Sequence, residues 1–391
     1  MKKVAYLCFD NPFVKPMEGG KRGILARIAA LRKCDIELDL YIQTKPEEEL
    51  LDNSASDSSI GCCRIFQYKM KSATPVMLFS KYPICSKKRF TLEMASDLLK
   101  RHYDVALYEG EQMMCYRTKN IVSADRHILY LLDIESEYRR QMSASETNIL
   151  HKFLQRIEGL KFKAFEKKMN SLFDEFLFIS IDELNMLESK MGKCTYSAYS
   201  TTEISDGIIG KNNSNMLYVG DLSLENNFKS LYWFCEKVLP KIALNQKDVK
   251  LIVVGRISEE NKRLLLKLDN ASSIVVSGYV DDLDQVYADS SFVISPVLYG
   301  AGVKAKVIDA IGRGQLVVGT SKAIEGTMLE PGVHVLISDD PADLAAVCSQ
   351  ILYDRSLFSH IAKQGYEYVK KEHSIDSHAS VLARCIGCSR K

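Results

Sequence analysis

The chain has 391 residues, 46% of them hydrophobic and 26% charged, with Lys+Arg 52 against Asp+Glu 50 and a net charge of +2. This is the composition of an ordinary globular protein, long enough for two or three domains. So even a balance excludes a global field that would gather nucleic acid, and any electrostatic function must be local.

The first apolar run, "KKVAYLCF", has strand length. It is too short for a signal-peptide core, and no later run reaches the ~18 apolar residues that a membrane span needs. A cytoplasmic setting is expected, with the 11 cysteines as reduced thiols packed mostly like small apolar side chains. Cys62-Cys63 and Cys385 with Cys388 have no partners at metal-ligand spacing, so no metal site is expected. Gly19-Gly20 opens a helix over "KRGILARIAALRKC". "DIELDLYIQT" follows as a strand, "FTLEMASDLLKRH" as a helix, and "YDVALYEG" and "HILYLLDIES" as strands. "LQRIEGLKFKAFEKKMNSLF" predicts a long amphipathic helix and "EFLFISI" a buried strand. These elements make a first domain over residues 1–196. Ser, Thr, Asn and Gly then crowd residues 197–215, which read as a linker.

The alternation restarts with strand "NMLYVGDL", helix "FKSLYWFCEKVLPKIA", strand "VKLIVVGR" and helix "EENKRLLLKL". It continues through "SIVVSGYV", "LDQVYAD", "SFVISPV", a further helix and "QLVVGT", giving a second domain over residues 216–370. Residues 371–391 read as a last helix after a break near His373-Ser374. The expected class is α/β, two doubly wound parallel sheets that bind ligands beyond the carboxyl ends of their strands.

"SPVLYGAGVKAKVIDAIGRG", residues 295–314, concentrates the chemistry. Gly300 and Gly302 let backbone amides approach a ligand, and the helix after them turns its positive end to the same point. Lys304 and Lys306 add full charges. A diphosphate fits that combination, and the Asp309 carboxylate suits the two hydroxyls of a ribose. A tight turn with solvated lysines and a capping aspartate is the plainer reading of the same residues. Asp281-Asp282 reads as a helix cap.

"YVGDLSLENNFKSLYWFCEKVLPKI", "KLIVVGR" and the run from "VVSGYVDDLDQ" to "TSKAIEGT" resemble the retaining glycosyltransferases of family 4, in the branch with a Gly-x-Gly-x-Lys-x-Lys turn. Gly19-Gly20, "YDVALYEG", "LLDIESEYRR" and "FDEFLFISIDEL" resemble that branch's acceptor-side domain. The resemblance implies a GT-B architecture, two Rossmann-like domains facing across a cleft, with the C-terminal helix crossing back to the first. It implies a nucleotide-sugar as donor substrate, bound by the second domain, and no cofactor or metal. Basic side chains, glycine amides and helix ends would neutralise the leaving diphosphate. Carried over residue by residue, Lys304 and Lys306 are the catalytic cations, helped by Arg256. Gly278 and Tyr279 lie where the base sits. Glu325 and Gly326 close the last donor loop, and Gly19 and Gly20 approach the diphosphate from the other domain. Departures are plain: Ala301 and Asp309 stand where two glutamates are common, Asp221 and Glu225 where Arg and Lys are common, and Leu132-Asp133 where His-Asn is usual.

Glu109 and Glu111 end one strand, Asp133 and Glu135 another. Glu109, Asp133 and Glu135 are candidates for acceptor hydroxyls, with an ion pair to Arg139 or Arg140 as the alternative for Glu135. Residues 68–90 interleave six basic residues with apolar ones, which fits either an anionic membrane face, making the protein peripheral, or a solvated surface. The expected activity is sugar transfer to a glycan or lipid-linked glycan. A non-catalytic nucleotide-binding partner of a transferase and a sugar-nucleotide epimerase on the same fold are the alternatives.

Overall fold

Long apolar runs with few charges are what a parallel strand needs when helices cover both faces. In the computed structural model such runs form seven parallel strands: β1 Lys2–Cys8, β2 Ile36–Thr44, β3 Cys63–Lys69, β4 His102–Glu109, β5 Ser123–Leu131, β6 Glu175–Phe178 and β7 Lys193–Tyr196. Their order is β3-β2-β1-β4-β5-β6-β7. The structure describes residues 1–14, 19–50, 63–146, 148–201, 204–207, 210–280, 282–300 and 302–391. Cys62, Asp281 and Ala301, with four residues of the expected linker, lie outside the described residues.

A second sheet contains β8 Asn215–Val219, β9 Lys250–Val254, β10 Ile274–Gly278, β11 Phe292–Ser295, β12 Val317–Gly319 and β13 Leu336–Ile337. Its order is β10-β9-β8-β11-β12-β13, again parallel. In each sheet the chain steps outward over three strands, then crosses back to continue on the other side of the first. The order therefore reverses between β1 and β4 and between β8 and β11, and a crevice opens there beyond the strand ends.

Helices connect and follow the strands, among them α1 Gly19–Arg32, α2 Glu135–Ser145, α3 Ile149–Glu166, α4 Glu225–Trp233, α5 Ala305–Gly312, α6 Ser359–Glu372 and α7 Ile375–Ile386. Two compact units result, Met1–Ser200 with Ile375–Lys391 and Thr201–Ser374. The chain leaves the first unit inside the stretch read as a linker, at Ser200. It returns just after the break read at His373-Ser374.

The last residues close the first unit. Arg126 Nη1 donates to Cys385 O at 2.8 Å, Lys2 Nζ to Ile386 O at 2.9 Å, and Asp35 N to Ser389 O at 2.9 Å. Strand β3 and the short β7 and β13 are not legible as strands in the sequence. β3 "CRIFQYK" lies at a sheet edge, where all its residues but Tyr68 stay at least partly exposed and carry mixed polarity. "HILYLLDIES" ends as a strand at Leu131, and α2 starts at Glu135. Among the described residues no helix is long and apolar enough to cross a membrane.

Candidate functional site

In the second unit, the loops after β8 and β11 meet at the point of order reversal. Gly300 and Gly302 have φ of 119° and 74°, a region that side-chain-bearing residues rarely adopt. They turn the chain so that the first turn of α5 faces the first turn of α4. A Cβ at Gly300 would lie 3.3 Å from Asn226 Nδ2. Neither helix has a side-chain cap at its start, so two positive helix ends border one crevice.

Lys306 is set between these parts. Its Nζ donates to Asn227 Oδ1 at 3.2 Å and stands 5.0 Å above the ring of Tyr218. Burial lowers this ammonium to about 8, and the charge of Lys304 pushes the same way. Lys304 turns back on its own loop, donating to Gly300 O at 3.2 Å and also to Gly302 O. Its Nζ lies 4.0 Å from Glu325 Oε2, and Lys322 donates to the other oxygen of that carboxylate. Gly326 comes next with φ of 78°. The structure thus brings together Gly300, Gly302, Lys304, Lys306, Glu325 and Gly326.

Other expected donor residues stand apart. Gly278 (φ 73°) and the half-exposed Tyr279 end β10, with β9 and β8 between them and β11. Arg256 pairs with Asp221, so the aspartate that replaces the usual arginine recruits a cation from the next strand. Asp309 is only 4% exposed and accepts from Thr201 Oγ1 at 2.7 Å. That bond ties the start of the unit to α5, and a ribose would have to compete with it. Asp282 Oδ1 accepts from Asp284 N at 2.9 Å, a local turn contact and not the expected cap: the helix Asp284–Ala288 has Leu283 at its start and no side-chain cap. Nothing in the sequence alone singles out Asn226, Asn227 and Tyr218. "GDLSLENN" shows only missing charges there; the doubly wound order is the signal that puts these side chains at the crevice.

In the first unit, α1 begins at Gly19, and a Cβ at the exposed Gly20 would make ordinary contact with Phe9 Cζ at 3.5 Å. The loop after β1 is held by Lys21, which donates to Val14 O and Glu48 Oε1, both at 2.9 Å, and by Arg89, which donates to Phe9 O at 2.7 Å.

Glu109 corrects an expectation. It is 0% exposed, and both its oxygens are taken by Arg27, with Nε at 2.8 Å from Oε2, and by the Tyr6 hydroxyl. Arg27 also stacks 4.5 Å from the centre of the Tyr130 ring. Glu109 is therefore one half of a core ion pair, its oxygens held by Arg27 and Tyr6 and closed to an acceptor hydroxyl. Glu135 pairs with Arg139 at 3.3 Å and accepts from Gln112, the ion-pair alternative. Asp133 is the partly exposed carboxylate of the three.

Three other carboxylates converge on the start of α2. Ile134 N donates to Glu183 Oε1 at 2.9 Å, Glu135 N to Glu111 Oε1 at 3.2 Å, and Ser136 N to Glu166 Oε1 at 2.9 Å. The helix's free amides and positive end hold them there. Burial, then the neighbouring Glu166 and Glu135, raises Glu111 well above the usual carboxylate range.

Comparisons with known proteins agree with this fold. Residues 213–354 match the family described as Glycosyl transferases group 1. The chain is 27% identical over 388 residues to an uncharacterized 44.6 kDa protein in the cps region of Klebsiella pneumoniae, covering 95% of this chain and 97% of that protein. It is similar to Anabaena Alr3699/HepE, solved in complex with UDP and glucose, with a TM-score of 0.67 at 13% identity over 99% and 100% of the two chains. Sucrose-phosphate synthase from Thermosynechococcus elongatus gives 0.69 at 15% identity over 98% of each. With two parallel sheets in the same winding order and these structural likenesses, the chain has the GT-B fold, and its residues 213–354 match the model of the glycosyl transferases group 1.

Proposed function

We infer that the chain transfers a sugar from a nucleoside-diphosphate sugar to a glycan or lipid-linked glycan acceptor, with retention and without a catalytic metal. The observation that carries this reading is Lys306, held by Asn227 over Tyr218 beside the Gly300–Lys304 turn and two uncapped helix starts. A diphosphate is the group whose charge such an arrangement offsets. The similar Anabaena protein, solved with UDP-glucose, supports a donor of this class.

In the reaction the bond from the sugar's anomeric carbon to the β-phosphate oxygen breaks, and the acceptor oxygen bonds to that carbon from the same face. The acceptor's hydroxyl proton passes to the departing phosphate. Lys306, the turn amides and the helix ends stabilise the negative charge that grows on the diphosphate. No protein carboxylate is needed as base, and Glu109 is committed to Arg27.

The test is thermal stability with excess UDP, GDP, ADP, CDP or TDP, for wild type and Lys304→Ala/Lys306→Ala. A nucleotide at ~100 times its dissociation constant stabilises the folded state by roughly 2.7 kcal/mol. One nucleotide should raise the melting point of wild type alone. No shift with any of the five would overturn the reading and favour a non-catalytic partner subunit.

Two further outcomes are expected. Lys306 titrates near 8, and a diphosphate binds its ammonium form. UDP affinity, measured by calorimetry, should therefore be at its full value near neutrality and fall as pH rises through about 8, approaching tenfold per unit above it. Lys306→Arg should remove that fall. Transfer should be unchanged after dialysis against EDTA; a rate lost with EDTA and restored by Mg2+ would sink the metal-free mechanism.

A further inference from the structure

Helix α3 has two apolar faces. Phe162 and Phe165 are buried on one side, together with Glu158. At 100° per residue, Ile149, Phe153 and Leu160 fall on the opposite side, and all three are exposed, Ile149 by 85%. Arg156, Lys163 and Lys167 share that outer side and are exposed too.

The helix's two acids are turned away from it. Glu158 accepts from Ile84 N at 2.7 Å and Lys161 Nζ at 2.8 Å, and Glu166 accepts from the Ser136 hydroxyl at 2.6 Å. The outer face of α3 is therefore apolar and basic.

A second segment extends this face. Lys161 Nζ also donates to Leu78 O at 2.9 Å, and the Tyr82 ring meets Phe165 edge-on at 6.3 Å. These contacts with the Ile84–Glu158 bond lay residues 78–84 along α3. Just before them, the short helix Pro75–Phe79 exposes Val76 and, by 91%, Phe79. Lys81 lies beside them, exposed, with its Nζ over the Tyr82 ring. A globular surface has no reason of its own to expose five large apolar side chains on two segments joined in this way.

We propose that this face seats on a bilayer containing anionic lipid. Val76, Phe79, Ile149, Phe153 and Leu160 enter the interfacial layer, and Lys81, Arg156, Lys163 and Lys167 meet headgroup phosphates. Charge decides the occupant: a second copy would set these cations against themselves. Residues 70–90 follow the carboxyl end of β3 and α2 follows that of β5, so the face adjoins the ligand-binding end of the first sheet. The inference goes beyond the sequence reading of residues 68–90 by making α3 the main contact. It rests on the transferase reading only for its purpose, delivery of a lipid-linked acceptor.

Full-length protein is sedimented with phosphatidylcholine vesicles, with and without phosphatidylglycerol. Binding is expected only with the anionic lipid, weakening as salt is raised. Arg156→Glu/Lys163→Glu should lower the partition coefficient at least about 20-fold, at roughly fivefold per lost cation. Phe79→Ser/Phe153→Ser/Leu160→Ser should abolish binding while the melting point and its response to UDP are kept. Equal binding to neutral vesicles, unchanged binding by both variants, or no binding by wild type overturns the proposal. So does a wild-type dimer that the serine variant dissolves, which would assign the face to a second copy. A UDP response without vesicle binding sinks the surface alone; vesicle binding without a nucleotide response sinks the transferase reading alone.

Discussion

Lys306→Ala should lower kcat/KM for sugar transfer by about 10²–10³-fold, as expected for removal of one fixed charge from a developing anion. The melting point should move little, because the lost ammonium is one that burial already disfavours. Lys304→Ala should do less to the chemical step and more to the order of the turn, since its ammonium is spent on the carbonyls of Gly300 and Gly302. Steady-state kinetics with melting curves for both variants separate the two roles. A Lys306→Ala protein with unchanged kcat/KM and a lowered melting point would make this lysine a packing residue.

Arg27→Met should destabilise the first unit by about 3–5 kcal/mol, because it leaves the Glu109 carboxylate buried without its counter-ion. Glu109→Gln in the same chain should return much of the loss, since the site would then hold no unpaired charge. The chain's one tryptophan, Trp233, lies in α4 of the second unit. Denaturant curves followed by its fluorescence should hardly shift in Arg27→Met, whereas far-ultraviolet dichroism should show an early transition. A single variant as stable as wild type would mean that Glu109 takes up a proton at little cost.

The strands that carry the sheets were legible because both their faces are covered: "KKVAYLCF", "VKLIVVGR" and "SFVISPV" are nearly unbroken apolar runs. Edge strand β3 and the short β7 and β13 lack that signature. At the turn before α5, glycines and lysines could be read because φ and charge are properties of single residues. Asn227 could not, since its meaning comes from the carboxyl end of β8 standing beside that of β11. Glu109 misled for the opposite reason. A carboxylate at a strand end normally faces the crevice, and only the fold shows Arg27 entering from α1, 82 positions away, to draw it inside.

Both ends of the chain belong to the first unit, and the second is inserted between them. On a ribosome this sets an order of events. When residue 200 emerges, the opening sheet has all its strands, but Lys2, Asp35 and Arg126 still lack the carbonyls they meet at Ile386, Ser389 and Cys385. The inserted unit is complete in sequence by residue 374, before the first can be finished. A nascent chain stalled there would carry a folded second unit and a first unit still open along α1. Removal of the last seventeen residues should therefore injure the unit at the other end of the sequence.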